Sequence, residues 1–433
     1  SRRLSVSEIK ERKLLYFERV MLILALFSLF YLQSLLSSTL KPASSIYRIA
    51  SYTAVLGWSV FALISSKDRI RDWVKVLWPV LICLAVSAVL FFVKSDDKYL
   101  ETRTKNLVFF IFFALIFLYY SRDRYEVHRT VIVAAWLLEI IFSCVHSVVF
   151  LQEYPDYAKA LVAPEMYGAY DGLQTYAMVS FEHACCLAFL TPVFLYKALG
   201  KNRKFGFESL LLLICCLLFW FTILKTQFAI ALILVSSGVV FILFVALMQR
   251  IPKSDRIWIC IIILVLLAGL IFFLPDILLS LYESNKLGSV LSQRIYSIYR
   301  MLKGLNIGNS DLQDRLYHYS LTLAGIRESK FLGIYFTGIG TTGGHSEFGD
   351  MLALFGIFFF AFFIWFLVNM FKLGYKYIDN GLHHGFIAAY VIYFIFSLLN
   401  TSLWTPIGIG LFIILPFVLR EDEPIFPVRR RLK

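Results

Sequence analysis

The sequence predicts an all-α polytopic membrane protein that forms a single integral membrane domain over residues 1–433. Two observations carry this prediction. Hydrophobic residues make up 59% of the chain and charged residues only 16%, and a soluble domain has too little interior to bury that much apolar surface. The apolar residues also recur in runs of roughly twenty, the length that crosses a bilayer as a helix.

About twelve apolar runs are predicted to be membrane spans, each a helix, because backbone groups in lipid must bond within their own segment. The fourth span is short, and the seventh and eighth are separated only by Lys225-Thr226-Gln227. The predicted spans are Tyr16–Leu36, Ile46–Ser65, Val74–Val93, Leu107–Tyr120, Val131–Leu151, Leu173–Tyr196, Ser209–Leu224, Phe228–Met248, Ile257–Leu274, Phe348–Phe371, Gly385–Leu399 and Leu403–Leu419.

Basic residues cluster on one side of these spans. The even-numbered connections and both ends of the sequence are rich in Lys and Arg, whereas Leu151–Gly172, an odd-numbered connection, is net acidic. Short cytoplasmic loops are enriched in Lys and Arg, so both termini are expected to be cytoplasmic.

We expect no cleavable signal, because the apolar run behind the basic segment Ser1–Lys13 is long enough to span and lacks a small-residue cleavage site.

Three kinds of site are not expected. The net charge of +13 does not indicate nucleic-acid binding, because Lys and Arg fall between apolar runs rather than on one soluble face. All seven cysteines lie in apolar segments, which favours buried packing over disulfides or thiolate metal sites. The histidines show no H-x-x-x-H or H-E-x-x-H spacing, so no metal dependence is predicted.

The longest connection, residues 275–347, joins the ninth and tenth spans and is therefore expected outside the membrane. Its segments SVLSQRIYSIYRMLKG and DLQDRLYHYSLTLAGIRE show helical apolar spacing, and NIGNSD between them is typical of a turn. We expect two amphipathic helices on or near the outer surface of the membrane. His318 and His345 both lie in this connection.

His345 ends a glycine-rich run in the stretch GTTGGHSEFGDMLALFG, residues 340–356. The residues four, eight and eleven positions after it are Gly, Ala and Gly, which lie on one helix face. This small-residue face predicts either close approach of another helix or room for a bulky ligand beside the histidine. Glu347 and Asp350 project to other sides, where they orient the imidazole, bind a ligand hydroxyl or sit in water.

Seven cations lie in the same long connection. Most are expected in water or against lipid headgroups, but a planar guanidinium is well matched to a diphosphate, so one or two arginines are predicted to hold an anionic ligand. Lys225, at the junction of two spans, is also a candidate, because ionisable groups at membrane depth are often functional. The seven cations are Lys286, Arg294, Arg300, Lys303, Arg315, Arg327 and Lys330.

The order of these features resembles the superfamily of O-antigen ligases and O-antigen or capsular polysaccharide polymerases, which act on lipid-linked glycans. Its members typically show an arginine, an amphipathic helix, a short pGvG-like segment, and then a histidine motif, H-N-x-x-L-x-x-x-x-x-x-G, that opens a membrane helix. Here Arg315 leads the helix, residues 330–333 read KFLG, residues 338–340 read GIG, and His345 leads HSEFGDMLALFG. The motif covers about a tenth of the chain, and the span count and long connection extend the likeness.

Two departures from the family pattern change polar groups. Ser346 stands where asparagine is usual, which changes one hydrogen-bonding group beside the histidine. The family often has a Ser/Thr-Arg pair at the outer junction of the two middle helices, and this chain has Thr226-Gln227 there. The second cation is therefore missing, or it is supplied by Lys225 or by Arg294.

The resemblance implies a GT-C-like glycosyltransferase that needs no metal, nucleotide sugar or other cofactor. His345 is implied to be the general base for a sugar hydroxyl, because an imidazole near its ordinary pKa accepts a proton at neutral pH. Arg315 is implied to stabilise the charge on a departing lipid diphosphate, in a direct inverting displacement. The remaining candidate substrate-binding residues are Arg294, Arg300, Lys225, Gln227, Glu347 and Asp350.

Two related functions fit the resemblance. A polymerase joins a growing undecaprenyl-diphosphate-linked chain to a new repeat unit, and we favour it because the GGHSE form resembles capsule and exopolysaccharide polymerases. An O-antigen ligase instead moves the finished glycan to lipid A core or another acceptor. A transporter or flippase of twelve spans is the alternative from another class, but the sequence shows no internal repeat. The implied setting is the bacterial cytoplasmic membrane, with the site facing outside and a chain-length regulator and a flippase as partners.

Overall fold

A computed structural model describes the chain in ten stretches, and every regular element in them is helical. This confirms the all-α prediction for the described part of the chain. The described stretches are residues 6–33, 45–94, 97–160, 180–199, 206–252, 254–284, 289–305, 311–379, 381–401 and 405–420.

The helices longer than two turns follow the predicted spans closely, and two more confirm the pair of helices predicted in the long connection. We number them α1 (Val6–Gln33), α2 (Ser45–Ser65), α3 (Ile70–Val93), α4 (Lys98–Tyr120), α5 (Glu126–Glu153), α6 (Phe181–Leu199), α7 (Phe207–Thr226), α8 (Ala229–Arg250), α9 (Arg256–Glu283), α10 (Ser289–Leu302), α11 (Asp311–Glu328), α12 (Glu347–Tyr377), α13 (His383–Leu399) and α14 (Pro406–Leu419).

Six helices in the described stretches are long and apolar enough to cross a membrane. Three shorter apolar helices accompany them, within α2, α13 and α14. The chain therefore has the composition and helix lengths of a multi-pass membrane protein. A total of twelve spans and the orientation of the termini stay predictions. The six long segments are Lys67–Val93, Lys98–Tyr120, Asp123–Glu153, Phe207–Thr226, Ala229–Arg250 and Glu347–Tyr377.

Three helices extend well beyond the predicted spans, and the first of them, α1, begins at Val6 rather than Tyr16. α4 begins at Lys98, because the Asp97 side chain accepts hydrogen bonds from the backbone N–H groups of Tyr99 at 2.9 Å and Leu100 at 3.0 Å and so caps the helix. α9 continues through Pro275 to Glu283, so the long connection starts later than predicted. Residues 34–36 of the predicted first span, 173–179 of the sixth and 403–404 of the twelfth lie outside the described stretches.

The helices pack in two neighbouring groups. In the first, α7, α8 and α13 surround α6, whose side chains are almost all buried, including Cys185 and Cys186. In the second, α3 and α4 pack on α12, where Phe110 of α4 meets Phe363 and Phe366 edge to face at 5.2 and 5.8 Å. Six of the seven cysteines are buried, and the side chain of the seventh, Cys260, is not among those that the structure describes.

Gly356 bends α12 one-third of the way along its length. Its φ of 80° lies in the left-handed region, and a Cβ there would lie 2.3 Å from the backbone oxygen of Leu332, so only glycine fits. The bend allows the backbone N–H of Ile357 to donate to the oxygen of Phe331 at 2.8 Å. The segment that follows α11 is thereby held directly against α12.

The small-residue face after His345 is filled by protein. A Cβ at Gly349 would lie 2.8 Å from the hydroxyl of Ser346 and 3.2 Å from the methyl of Thr322 on α11, and Ala353 is fully buried. The prediction of close helix approach is confirmed. The alternative prediction, that this face leaves room for a bulky ligand, is wrong because α11 and the 331–332 turn occupy that space.

Candidate functional site

The candidate site lies where one face of α11 meets the loop that leads into α12. The face is formed by Arg315, His318, Thr322 and Gly325, which are spaced three, four and three residues apart and therefore align along the helix. A Cβ at Gly325 would lie 2.1 Å from the backbone oxygen of Thr341, so α11 and the loop are in direct backbone contact.

The glycine pair before His345 permits a second close approach. A Cβ at Gly343 would lie 2.1 Å from the backbone oxygen of His318, and the N–H of Gly343 donates to the Thr322 hydroxyl at 3.0 Å. Gly344 has a φ of 72°, which turns the chain away from α11 and towards α12. His345 is delivered by this turn to a half-buried position over α11.

His345 lies against a second histidine. The ring centroids of His345 and His318 are 4.3 Å apart with an interplanar angle of 66°, an edge-to-face contact. The Nδ1 atom of His318 is buried and has no hydrogen-bond partner among the described residues. Two half-buried imidazoles are therefore in contact at the junction of α11 and α12.

Asp350 anchors the loop that carries His345. The carboxylate is fully buried. Its Oδ1 accepts hydrogen bonds from the hydroxyls of Thr322, at 2.8 Å, and Thr342, and from the N–H of Gly344 at 3.3 Å. Its Oδ2 accepts from the N–H of Ser346 at 3.0 Å. One carboxylate therefore joins α11, the loop and α12.

Ser346 caps α12. Its hydroxyl accepts a hydrogen bond from the backbone N–H of Gly349 at 3.0 Å, which satisfies one of the donors left open at the start of a helix. This role accounts for a short polar residue directly after His345. Asparagine is an equally good cap.

Glu347 faces the other group of helices. Its Oε1 lies 2.9 Å from Nη1 of Arg103 on α4, and Arg103 also donates to the hydroxyl of Tyr99 at 2.6 Å. Glu347 and Asp350 are both fully buried and engaged by protein groups, which excludes one of the three alternatives left open by the sequence, that they sit in water. Of the two, only Asp350 reaches the loop that orients His345.

The environment lowers the pKa of the His345 imidazole below its ordinary value. Burial is the main cause, because it disfavours the charged form, and the positive charges of His318 and Arg315 act in the same direction. The carboxylate of Asp350 partly opposes them. His345 is therefore neutral at neutral pH and able to accept a proton.

The other cations predicted to bind substrate, Arg294, Arg300 and Lys225, lie on other helices. Arg294 and Arg300 are half-buried on α10, where the guanidinium of Arg300 lies 5.8 Å from the ring of Tyr296. Lys225 ends α7, with its ammonium 5.5 Å from the ring of Phe221. His345, Arg315 and Asp350 therefore lie close enough to interact electrostatically, whereas Lys225 lies in the last turn of α7, at the α7–α8 junction.

Gln227 forms that junction. It adopts a left-handed conformation, with φ of 56°, and closes α7 through a hydrogen bond from its N–H to the oxygen of Leu224 at 3.2 Å. Its Oε1 is buried and has no hydrogen-bond partner within the described stretches. No contact recorded for Gln227 reaches His345.

Sequence reasoning missed three residues of the site. His318 and Thr322 were detectable, because both lie on the α11 face that Arg315 begins. Arg103 was not detectable, because it stands among charged residues at the start of α4, where a solvated side chain is the ordinary outcome.

Within the described stretches, no three His, Cys, Asp or Glu side chains lie close enough to hold a metal ion.

In comparisons with known proteins, no family model matches the chain, and no curated protein matches it. The assignment of a function therefore depends on the site and on the sequence motif that it contains.

Proposed function

We propose that this protein is a membrane glycosyltransferase that polymerises lipid-diphosphate-linked glycan repeat units. The observation that carries the proposal is the position of His345, a neutral, half-buried imidazole on an anchored loop, beside the guanidinium of Arg315. A proton acceptor near a cation suits a reaction in which a hydroxyl loses its proton while an anion departs.

In the proposed reaction, the hydroxyl oxygen of the acceptor sugar attacks the anomeric carbon of the donor. Its O–H bond breaks and the proton passes to His345, while the bond from the anomeric carbon to the diphosphate oxygen breaks and the lipid diphosphate leaves with the electron pair. Attack opposite the leaving group inverts the anomeric centre. Arg315 stabilises the negative charge that develops, with help from Arg294 or Lys225.

The remaining roles divide between substrate and scaffold. Arg300 and Gln227 are assigned to the glycan and its diphosphate. Asp350 and Glu347, which the sequence suggested as substrate-binding residues, are assigned to positioning, because their carboxylates are engaged by Thr322 and Arg103. We place the site at the outer side of the bacterial cytoplasmic membrane, where a flippase delivers substrate and a chain-length regulator acts on the product.

The test uses purified protein in lipid nanodiscs with a lipid-diphosphate-linked repeat unit, and products are resolved by length. Polymer is expected from the wild-type chain, and His345→Ala should abolish it. His384→Ala is the matched control, because this exposed histidine bonds Tyr196 at 3.0 Å on α6, away from the loop. Wild-type rates for His345→Ala would contradict the mechanism, and transfer only to lipid A core would identify a ligase.

A second arm tests Arg315. Arg315→Gln should raise the KM for the donor and lower kcat, because both binding and departure of the diphosphate lose a cation. Arg315→Lys should restore activity only in part, since an ammonium cannot hold two phosphate oxygens in the planar geometry of a guanidinium. Full activity of Arg315→Gln would remove the diphosphate role.

A further inference from the structure

We infer that His318 and His345 form a coupled pair of imidazoles, in which only one ring at a time takes up an additional proton. His318 is the positioning residue, and it acts through His345. The inference deepens the proposed function and rests on it for its catalytic meaning. It concerns a residue that the family motif does not contain: His318 stands three residues after Arg315, inside the helix that the motif leaves unspecified.

The geometry of the two rings carries the inference. Ring centroids 4.3 Å apart at 66° place the edge of one imidazole directly on the other, with no space for a water molecule between them. Backbone packing fixes this distance. His318 lies in the middle of α11, and its backbone carbonyl occupies the space that a side chain at residue 343 would need. The loop is therefore packed against α11 at Gly343, two residues before His345.

The charges around the pair limit it to one proton. Two positive rings in contact repel each other, so a proton on one ring disfavours a proton on the other. Arg315 on α11 adds a third positive group, and Asp350 on α12 supplies the negative charge that faces His345. Such a pair is neutral before reaction, accepts one proton from the acceptor hydroxyl, and then releases it to solvent before the next turnover.

The buried Nδ1 of His318 fits this role better than simple packing. This atom has no hydrogen-bond partner among the described residues, although a buried imidazole nitrogen ordinarily finds one. A phenylalanine would fill the same volume without that cost. The cost of burying this nitrogen supports a role for the imidazole beyond packing, and the ring in contact with it is that of His345.

The pair can be tested without any substrate. Protein with 13C-labelled histidine rings is titrated in nanodiscs, and the signals of His318 and His345 are identified from His318→Phe and His345→Gln. In the wild-type chain, the two rings should titrate together in two separated steps. In His318→Phe, the His345 signal should show one step, shifted to higher pH because a neighbouring positive charge is gone.

Three results separate the possible outcomes. An unchanged His345 titration in His318→Phe overturns the pair, and His384→Phe, the matched control, should leave that titration unchanged. If His318→Phe does not fold, His318→Gln, which keeps a polar group but does not titrate, replaces it.

The same variants are assayed for polymer: the acidic limb of the rate profile should move to higher pH. Coupled titration without polymer would refute the proposed function and leave the pair intact, whereas polymer with independent titration would refute the pair alone.

Discussion

Arg103 and Glu347 form a buried ion pair between the N-terminal ends of α4 and α12, with Nη1 2.9 Å from Oε1 although the residues are 244 positions apart. Glu347 is the second residue after His345, and its N–H donates to the oxygen of Asn400 at 3.2 Å. The start of α12 is therefore fixed on one side by α4 and the end of α13, and on the other by the loop over α11.

Removing one partner of this pair should destabilise the protein strongly. Arg103→Ala leaves the Glu347 carboxylate in a buried position without that cation, and the expected loss is about 3–5 kcal/mol in the free energy of unfolding. Thermal unfolding is measured with a thiol-reactive dye, which labels the buried cysteines as they become exposed.

A double variant and a surface variant control this measurement. Arg103→Met with Glu347→Leu should cost less than Arg103→Ala alone, since no charge is left buried. Arg69→Ala, which removes an exposed arginine 3.9 Å from Asp68, should change stability little. Equal effects of Arg103→Ala and Arg69→Ala would show that the buried pair contributes no more than a surface contact.

Ser346→Ala should remove the cap of α12 and cost about 1 kcal/mol, because the N–H of Gly349 then loses its acceptor. Ser346→Asn should retain both stability and polymer formation, since asparagine caps a helix as well as serine does. Stability is measured with the same dye, and polymer by length separation. A large loss for Ser346→Asn would mean that the hydroxyl does more than cap the helix.

The sequence predicted the helices better than the contacts between them. Apolar runs located α1 to α9 and α12 to α14 because lipid forces each run to satisfy its own backbone. The Gly-Gly-His motif located the loop, because backbone contact with α11 requires glycine. The pairing of Arg103 with Glu347 and the contact of His318 with His345 depend on how distant segments dock, and no local pattern encodes that docking.

Gly343→Ala should displace the loop from α11, since the new Cβ would lie 2.1 Å from the backbone oxygen of His318, and neither backbone can yield cheaply. We expect a loss of about 1–3 kcal/mol and of most polymer formation, because His345 moves with the loop. Gly57→Ala is the matched control: its Cβ meets open space in α2, so stability should hold or rise slightly. Equal behaviour of the two variants would contradict the close approach.

Asp350→Asn should separate the charge of this carboxylate from its anchoring role. The variant keeps the size of the side chain, but its NH2 group would face a hydrogen-bond donor that now bonds to a carboxylate oxygen. We therefore expect a loss of about 1–3 kcal/mol in the free energy of unfolding. Asp276→Asn, an exposed carboxylate 3.9 Å from Lys303, is the matched control and should behave like the wild-type chain.

The pH dependence of Asp350→Asn gives the sharper result. The Asp350 carboxylate raises the pKa of His345, so its removal lowers that pKa further, and the imidazole stays neutral to lower pH. The acidic limb of the polymerisation rate should therefore move to lower pH, opposite to its movement in His318→Phe. If the substitution merely opened the loop, His345 would gain water, the burial that lowers its pKa would be relieved, and the limb would move to higher pH. A downward shift identifies the lost charge as the cause, and an upward shift identifies a loosened loop.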